Sequence, residues 1–190
     1  ESDVITIKIL DDNQLIYQEK TSEKLVTISL SEVKLWTPDN PHLYKLLITT
    51  KNDQVNSYFA MRKVGIGEYH GRKALTLNNE PYFFNGLLDQ GFYPDGLYLP
   101  ATIDGFIYDI LKMKELGFNT LRKHIKVEPL IWYNLCDKLG MIVWQDMVNN
   151  SPYSFAQDTV LPTIGFKGRN DEKRAIPPEN KKIFIESMEE

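Results

Sequence analysis

The hydrophobic period of the chain changes near Gly71, and this change is the strongest constraint on its fold. Before it, apolar and polar residues alternate in short runs. After it, apolar residues recur at spacings of three and four between short apolar runs. Alternation is typical of strands with one buried face, whereas the longer spacing is typical of amphipathic helices. The sequence therefore predicts an antiparallel β part followed by a part in which strands and helices alternate.

The β part reads as about five strands separated by turn residues such as those at 11–13 and 51–53. The predicted strands cover residues 4–10, 15–19, 25–30, 43–50 and 55–64. An immunoglobulin-like sandwich has roughly seven strands. We therefore expect this part to depend on strands that precede residue 1.

The second part begins with a hairpin around Asn78 and Asn79 and continues as alternating strands and helices. The predicted elements are strands at 74–77, 82–88, 118–125 and 141–144, and helices at 102–116 and from Pro129 to Gly140. Strand–helix–strand units of this kind give parallel sheets with right-handed crossovers. Residues 147–178 have no clear period and are predicted as one long loop, with a last helix starting at Pro178.

Composition excludes several classes of partner. Hydrophobic residues make up 42% and charged residues 25%, which predicts a globular fold with a buried core. The net charge is -4 and no run of Lys or Arg exceeds two, so we expect no nucleic-acid partner. No apolar run approaches the roughly 20 residues that span a bilayer, so no membrane partner is expected. Cys136 is the only cysteine, which rules out an internal disulfide, and no metal site or cofactor is predicted.

Three blocks in fixed order resemble family 2 glycoside hydrolases, which include β-galactosidases, β-glucuronidases and β-mannosidases. The first is LWTPDNPHLY at 35–44, and the second is ALTLNNEPYFFNG at 74–86. The third and most specific comprises LGFNTLRKH at 116–124 and WYNLCDKLG at 132–140. The loop at 90–99 lacks the histidines typical of β-galactosidases, and the sequence at 144–146 is closer to that of β-mannosidases. The resemblance therefore does not identify the sugar of the substrate.

The resemblance implies a junction between two domains. Residues 1–67 would be the C-terminal strands of an immunoglobulin-like β-sandwich. Residues 68–190 would be the N-terminal part of a (β/α)8 (TIM) barrel, with its first three βα units. The chain would then be a fragment of a larger glycosidase.

No catalytic residue is assigned in this chain. Glycoside hydrolysis generally needs two carboxyl groups that flank the scissile bond. The resemblance implies two glutamates on the fourth and seventh barrel strands, whereas residues after Pro81 supply about three units. Asn79 and Glu80 match the family's Asn-Glu signature in wording, but they lie in the hairpin ahead of the barrel, so we interpret them as a turn.

Polar residues at the predicted strand ends are the candidate substrate-binding groups, because ligands of such barrels bind at the C-terminal ends of the strands. Arg122 and His124 are two positions apart on the second strand, so they should face the same side. Burial of this cation pair would make sense if carboxylates and sugar hydroxyls arrive from later strands. A structural ion pair or an exposed strand end is the alternative. The resemblance implies that Arg122 touches the region of the catalytic carboxylates, and Lys126 is a further candidate.

The first and third strands supply the other candidates. Asp89 and Gln90 follow the first strand and could bond sugar hydroxyls, while the aromatic residues at 92–93 could stack on sugar rings. Trp144 and Asp146 end the third strand. Asp146 could accept sugar hydroxyls, but a structural salt bridge with the cations of the second strand fits the same geometry.

These expectations favour a piece of a β-galactosidase-like or β-mannosidase-like retaining glycosidase that acts on a carbohydrate substrate and is inactive in isolation. A non-catalytic carbohydrate-binding or interaction module remains an alternative, as does a complete small α/β protein. The fragment interpretation also predicts apolar sheet edges that recruit missing strands or a second copy, giving a homo-oligomer.

Overall fold

The structure is a computed structural model that describes residues 4–148, 153–168 and 176–189, and its strands there form three sheets. The first sheet is antiparallel with the order β2-β1-β3-β4. Its strands are β1 (Ile5–Asp11), β2 (Gln14–Thr21), β3 (Tyr44–Thr49) and β4 (Gln54–Phe59). Asp12 and Asn13 connect β1 to β2 with positive φ angles of 46° and 71°, as a two-residue hairpin turn requires.

The predicted strand at 25–30 is wrong. Val26, Ile28 and Leu30 are half-buried and alternate with exposed residues, but no strand is assigned to this segment. Alternation decides which side chains are covered, whereas a strand also needs a neighbouring backbone to complete its hydrogen bonds. The predicted strand at 55–64 is also too long, because β4 ends at Phe59 and a new strand begins at Val64.

The second sheet has the order β5-β6-β7 and is also antiparallel. It comprises β5 (Val64–Tyr69), β6 (Arg72–Leu77) and β7 (Glu80–Pro81). The predicted turn at Asn78 and Asn79 is confirmed, since both residues have positive φ angles between β6 and β7. Because β5 crosses the proposed division after residue 67, the position of that domain boundary stays a prediction.

The third sheet is parallel with the order β10-β9-β8. It contains β8 (Gly86–Asp89), β9 (Thr120–Lys123) and β10 (Ile142–Gln145), with α1 (Ile103–Glu115) and α2 (Leu130–Leu139) between them. The predicted strand–helix order is thus confirmed. The first of these strands starts at Gly86 rather than at 82, because residues 82–85 lie between sheets without strand pairing.

One face of the parallel sheet packs on both helices. The buried cluster there includes Leu121 of β9, Ile110 of α1 and Trp132 and Cys136 of α2. Burial of the Cys136 side chain raises the pKa of its thiol, because the charged thiolate is poorly solvated there.

Residues 147–178 are not one long loop as predicted. A π-helical segment occupies Phe155–Val160 and a short helix, α3, follows at Leu161–Thr163. The predicted helix from Pro178 is confirmed as α4 (Pro178–Glu189). The remainder of that predicted loop at 149–152 and 169–175 lies outside the described residues. None of the helices in the described ranges has the length and apolarity needed to cross a membrane.

Trp36 joins the antiparallel part to the parallel part. Its side chain is fully buried, and its indole N–H donates to the carbonyl of Asp137 at 2.8 Å. Lys114 donates to the carbonyls of Pro38 and Gly140 at 2.6 and 3.0 Å, so one ammonium bridges the same two parts. The first sequence block therefore packs on the C-terminal end of α2.

Candidate substrate site

The three parallel strands end at the same level. Asp89 pairs with Lys123 in the β8–β9 register, and Lys123 pairs with Gln145 in the β9–β10 register. The carboxyl ends of parallel strands are where α/β folds bind ligands. The residues predicted on three separate strands are therefore brought to one edge of the sheet.

Arg122 and Asp146 form a two-pronged ion pair across this edge. The Nε and Nη2 atoms of Arg122 donate to Oδ1 and Oδ2 of Asp146 at 3.1 and 2.9 Å. The hydrogen bonds from Arg122 hold the pKa of the Asp146 carboxyl below its usual range. Thus the salt bridge that was one of the two alternatives for Asp146 is present, while sugar binding by either residue stays a prediction.

Arg122 is exposed at this edge, which agrees with the alternative of an exposed strand end. Its side chain is 53% exposed, against 23% for Asp146. Asp146 already supplies the opposing carboxylate, so no carboxylate from a later strand is needed to offset the charge. An exposed guanidinium is also open to contact by a ligand.

His124 lies beside Gln90 at the same edge. The two side chains meet at 3.0 Å between His124 Nδ1 and Gln90 Nε2, and the His124 backbone N–H donates to the carbonyl of Asp89 at 2.9 Å. Coulombic attraction from His124 contributes to the lowered pKa of Asp146. The loop after β8 and the turn after β9 are therefore joined at the point where sugar contacts were predicted.

Trp144 continues the same face of the sheet. Its ring is 44% exposed and lies 5.7 Å from the ring of Phe84. Together with Leu88 and Arg122, these rings line a cleft of about 230 Å³. Of the predicted site residues, Arg122 and Trp144 line this cleft, whereas His124, Asp146 and Gln90 lie at the strand ends outside its lining. We call these five residues the substrate wall.

Asp89 and Lys126 do not point into this cleft. Asp89 accepts from Lys123 Nζ at 2.7 Å through Oδ2 and from the Gly91 N–H at 2.8 Å through Oδ1. Lys126 donates to the carbonyls of Gly91 and Tyr98. Both side chains hold the loop after β8, so a direct sugar contact by either one would require these bonds to be exchanged.

The two aromatic residues after β8 have different environments. Tyr93 packs edge-on against Phe106 in the core with 5.8 Å between ring centroids, and burial raises the pKa of its hydroxyl. Phe92 is 60% exposed and lies 5.4 Å from the ring of Tyr98. Only Phe92 of the predicted pair offers an open ring face.

Comparison with known proteins supports a specific family. The model of the Glycosyl hydrolases family 2 matches residues 3–66. A Leuconostoc mesenteroides β-galactosidase is 30% identical over 133 residues, which are 68% of this chain and 13% of that protein. A Lactococcus lactis β-galactosidase is 30% identical over 145 residues, which are 75% of this chain and 14% of that protein.

The chain belongs to glycosyl hydrolase family 2.

The fold of this family 2 chain matches solved structures as well. A Faecalibacterium prausnitzii β-glucuronidase superposes with a TM-score of 0.68 at 23% identity, covering 78% of this chain and 24% of that one. A Dictyoglomus thermophilum β-glucuronidase gives 0.68 at 19% identity, covering 77% and 25%. At these identities the likeness establishes the fold alone. The chain spans only 13% and 14% of the two β-galactosidases above.

Sequence reasoning missed Lys123 and Glu128. Lys123 is fully buried and its ammonium lies 4.2 Å from the centroid of the Trp132 ring. Glu128 is 4% exposed and accepts from Lys123 at 2.8 Å. The signal was available: Lys123 lies two positions after Leu121 on β9 and so shares its face toward the helices, where a buried lysine needs a charged partner.

Asp11, Asp12 and His42 form a cluster with metal-ligand chemistry, with donor atoms within 4.8 Å of one another. The ammonium of Lys34 lies 2.9 Å from Asp11 and 3.4 Å from Asp12. This lysine already supplies the positive charge between the two carboxylates. The cluster is far better described as a surface ion-pair network than as a metal centre.

Proposed function

We propose that this chain supplies the substrate-positioning part of a retaining β-glycosidase that hydrolyses terminal β-glycosidic bonds. The observation that carries the proposal is the convergence of the substrate wall at the carboxyl ends of three parallel strands. Its guanidinium, imidazole, amide and indole groups are the kinds that bond and stack on sugars. Carbohydrate is accordingly the proposed partner.

Asp146, the carboxylate of the substrate wall, is not suited to act as the general acid. Its hydrogen bonds with Arg122 hold the pKa of its carboxyl below the usual range and favour the charged form. A general acid needs the opposite environment, one that raises its pKa. We therefore propose that the catalytic glutamates lie on further barrel strands and that these 190 residues alone are inactive.

The proposed architecture is that of a sandwich followed by a barrel. The antiparallel sheet β2-β1-β3-β4 would be part of an immunoglobulin-like sandwich, and β8, β9 and β10 with their helices would be the first three βα units of a TIM barrel. Within the described residues, β8 and β10 each pair only with β9. We propose that further strands, or a second copy of the chain, complete these edges.

A β-galactoside is the first substrate to test, because the curated relatives at 30% identity are β-galactosidases. The rates at which the longer protein that contains this chain hydrolyses p-nitrophenyl β-galactoside, β-glucuronide and β-mannoside should be compared. NMR identifies which anomer of the sugar is released first, and this anomer distinguishes retention from inversion.

Arg122→Ala in that longer protein should lower kcat/KM by at least about 100-fold, equivalent to roughly 3 kcal/mol of transition-state stabilisation. Its melting temperature should change little, because the lost ion pair is largely exposed. Lys112→Ala, which breaks an exposed ion pair with Glu115 on α1, is the matched control. Unchanged kinetics with a lowered melting temperature would contradict the proposal. Sugar affinity retained by the isolated chain would favour the carbohydrate-binding module instead.

A further inference from the structure

Four charged side chains form a compact cluster beneath the substrate wall. Lys123 Nζ lies 2.7 Å from Asp89 and 2.8 Å from Glu128, and Lys126 Nζ lies 2.9 Å from the same Glu128 oxygen. The side chains of Lys123 and Glu128 are 1% and 0% exposed. We call Asp89, Lys123, Lys126 and Glu128 the charge cluster; its two cations and two anions balance.

The charge cluster connects segments that are distant in sequence. Asp89 ends β8, Lys123 ends β9, and Glu128 precedes α2. Lys126 adds the loop after β8 through the carbonyls of Gly91 and Tyr98. The loop and the turn after β9 are therefore fixed to one buried set of charges.

Gly91 shows how closely the loop approaches the charge cluster. A Cβ atom at this position would lie 2.1 Å from Glu128 Oε1 and 2.8 Å from Lys123 Nζ. Its φ of +63° is also one that other residues rarely adopt. The loop backbone thus packs directly on the charges.

The turn after β9 is strained. Ile125 has a φ of 49°, which is a clear outlier for a β-branched residue. Such strain persists only where the surroundings over-determine the conformation. Ile125 is flanked by His124 of the substrate wall and by Lys126 of the charge cluster, so the strained turn joins the two sets of residues.

We propose that Lys123 and Glu128 are positioning residues, which hold the loop after β8 and the turn after β9 so that Gln90 and His124 of the substrate wall meet. The inference rests on the proposed function, because a positioning role needs a substrate to position. Apolar residues of similar volume often stabilise a protein as well as a buried ion cluster does. Glu128 Oε2 is even left buried without a hydrogen-bond partner among the described residues, which stability alone does not explain.

The test uses the 190-residue chain with Lys123→Met, Glu128→Gln and the double variant. Amide hydrogen exchange of residues 91–99 and the ring ¹⁵N shifts of His124 report the geometry, and the melting temperature reports stability. Either single variant should speed exchange in the loop at least about tenfold and shift the His124 ring signals. The double variant restores charge balance, so it should recover melting temperature without recovering loop protection.

Ile110→Val, a cavity variant in the core beneath the same sheet, is the control for stability loss alone. It should lower the melting temperature while leaving the loop and His124 unchanged. Exchange at residues 91–99 within twofold of the unsubstituted chain in both single variants would overturn the proposal. So would equal loosening by Ile110→Val at the same loss of melting temperature. Because no sugar is present, these outcomes are separate from the activity assays that test the proposed function.

Discussion

At the scale of single residues, neighbouring charges decide what each group at the sheet edge can do. Arg122 lies on β9 and Asp146 directly follows the neighbouring strand β10. The two hydrogen bonds between them favour the ionised carboxylate. Lys123, one position along, points to the opposite face and is buried. A shift of one residue along β9 thus separates an exposed ligand-accessible cation from a buried structural one.

The pKa of Asp146 should rise toward its ordinary value when Arg122 is replaced by Gln. A carboxyl whose folded pKa is depressed stabilises the fold above the ordinary value of 3.8, and this contribution is lost as the pH falls through the folded value. In Arg122→Gln, Asp146 should therefore contribute less to the loss of unfolding free energy as the pH falls. Carboxyl ¹³C titration by NMR measures the shift directly.

The control for that titration is Lys34→Gln, which breaks another exposed ion pair, with Asp11. It should leave the Asp146 titration unchanged. A pKa of Asp146 that stays depressed in Arg122→Gln would show that His124, rather than the guanidinium, sets it.

At the scale of elements, the sequence predicted what local periodicity controls. The spacing in residues 102–116 predicted α1, and Pro129 with Gly140 marked the ends of α2. It failed at 25–30, where the pairing partner rather than the local pattern decides. Lys123 and Glu128 were also missed, because the site was predicted only from the polar residues on the Arg122 face of β9, and Lys123 points to the opposite face.

Gly140→Ala should destabilise the chain more than Gly117→Ala. Both glycines follow helices with positive φ, at +76° and +89°, so each alanine costs roughly 1–2 kcal/mol for the left-handed conformation. A Cβ at Gly140 would also lie 2.2 Å from the carbonyl oxygen of Pro38, whereas nothing lies within 4 Å at Gly117. We expect an extra loss of about 1–3 kcal/mol.

Urea denaturation of the two variants measures the difference. Equal losses would mean that the segment at Pro38 moves away from α2 at little cost, and that this part of the contact between sheets is loose.

At the scale of the whole molecule, Asp137 links the antiparallel and parallel parts. Its carboxylate accepts from Tyr58 at 2.9 Å and from Arg62 at 2.7 Å, while its backbone carbonyl accepts from Trp36. Both carboxylate partners lie N-terminal to β5. Asp137 of α2 therefore holds the two parts together alongside Lys114 of α1.

Asp137→Ala should cost about 1–3 kcal/mol, because it leaves a half-buried hydroxyl and a cation without their acceptor. Calorimetry should show a broader unfolding transition as the two parts become less coupled. Glu115→Ala, which removes an exposed pair on α1, should change stability by less than about 0.5 kcal/mol. A sharp transition at an unchanged temperature in Asp137→Ala would show that the carboxylate does not couple the parts and that the remaining contacts, including the Trp36 and Lys114 hydrogen bonds, are sufficient.

The bond from Trp36 to Asp137 spans 101 positions of the chain, and this separation sets an order of events during synthesis. At about 5–20 residues per second on the ribosome, the indole emerges roughly 5–20 seconds before its acceptor. Throughout that interval Trp36 can pack only on the part of its apolar cluster that has already been made, such as Leu77, while Ile142 and the acceptor at Asp137 are still missing. The nascent chain therefore cannot enclose this indole fully until α2 and β10 have been made.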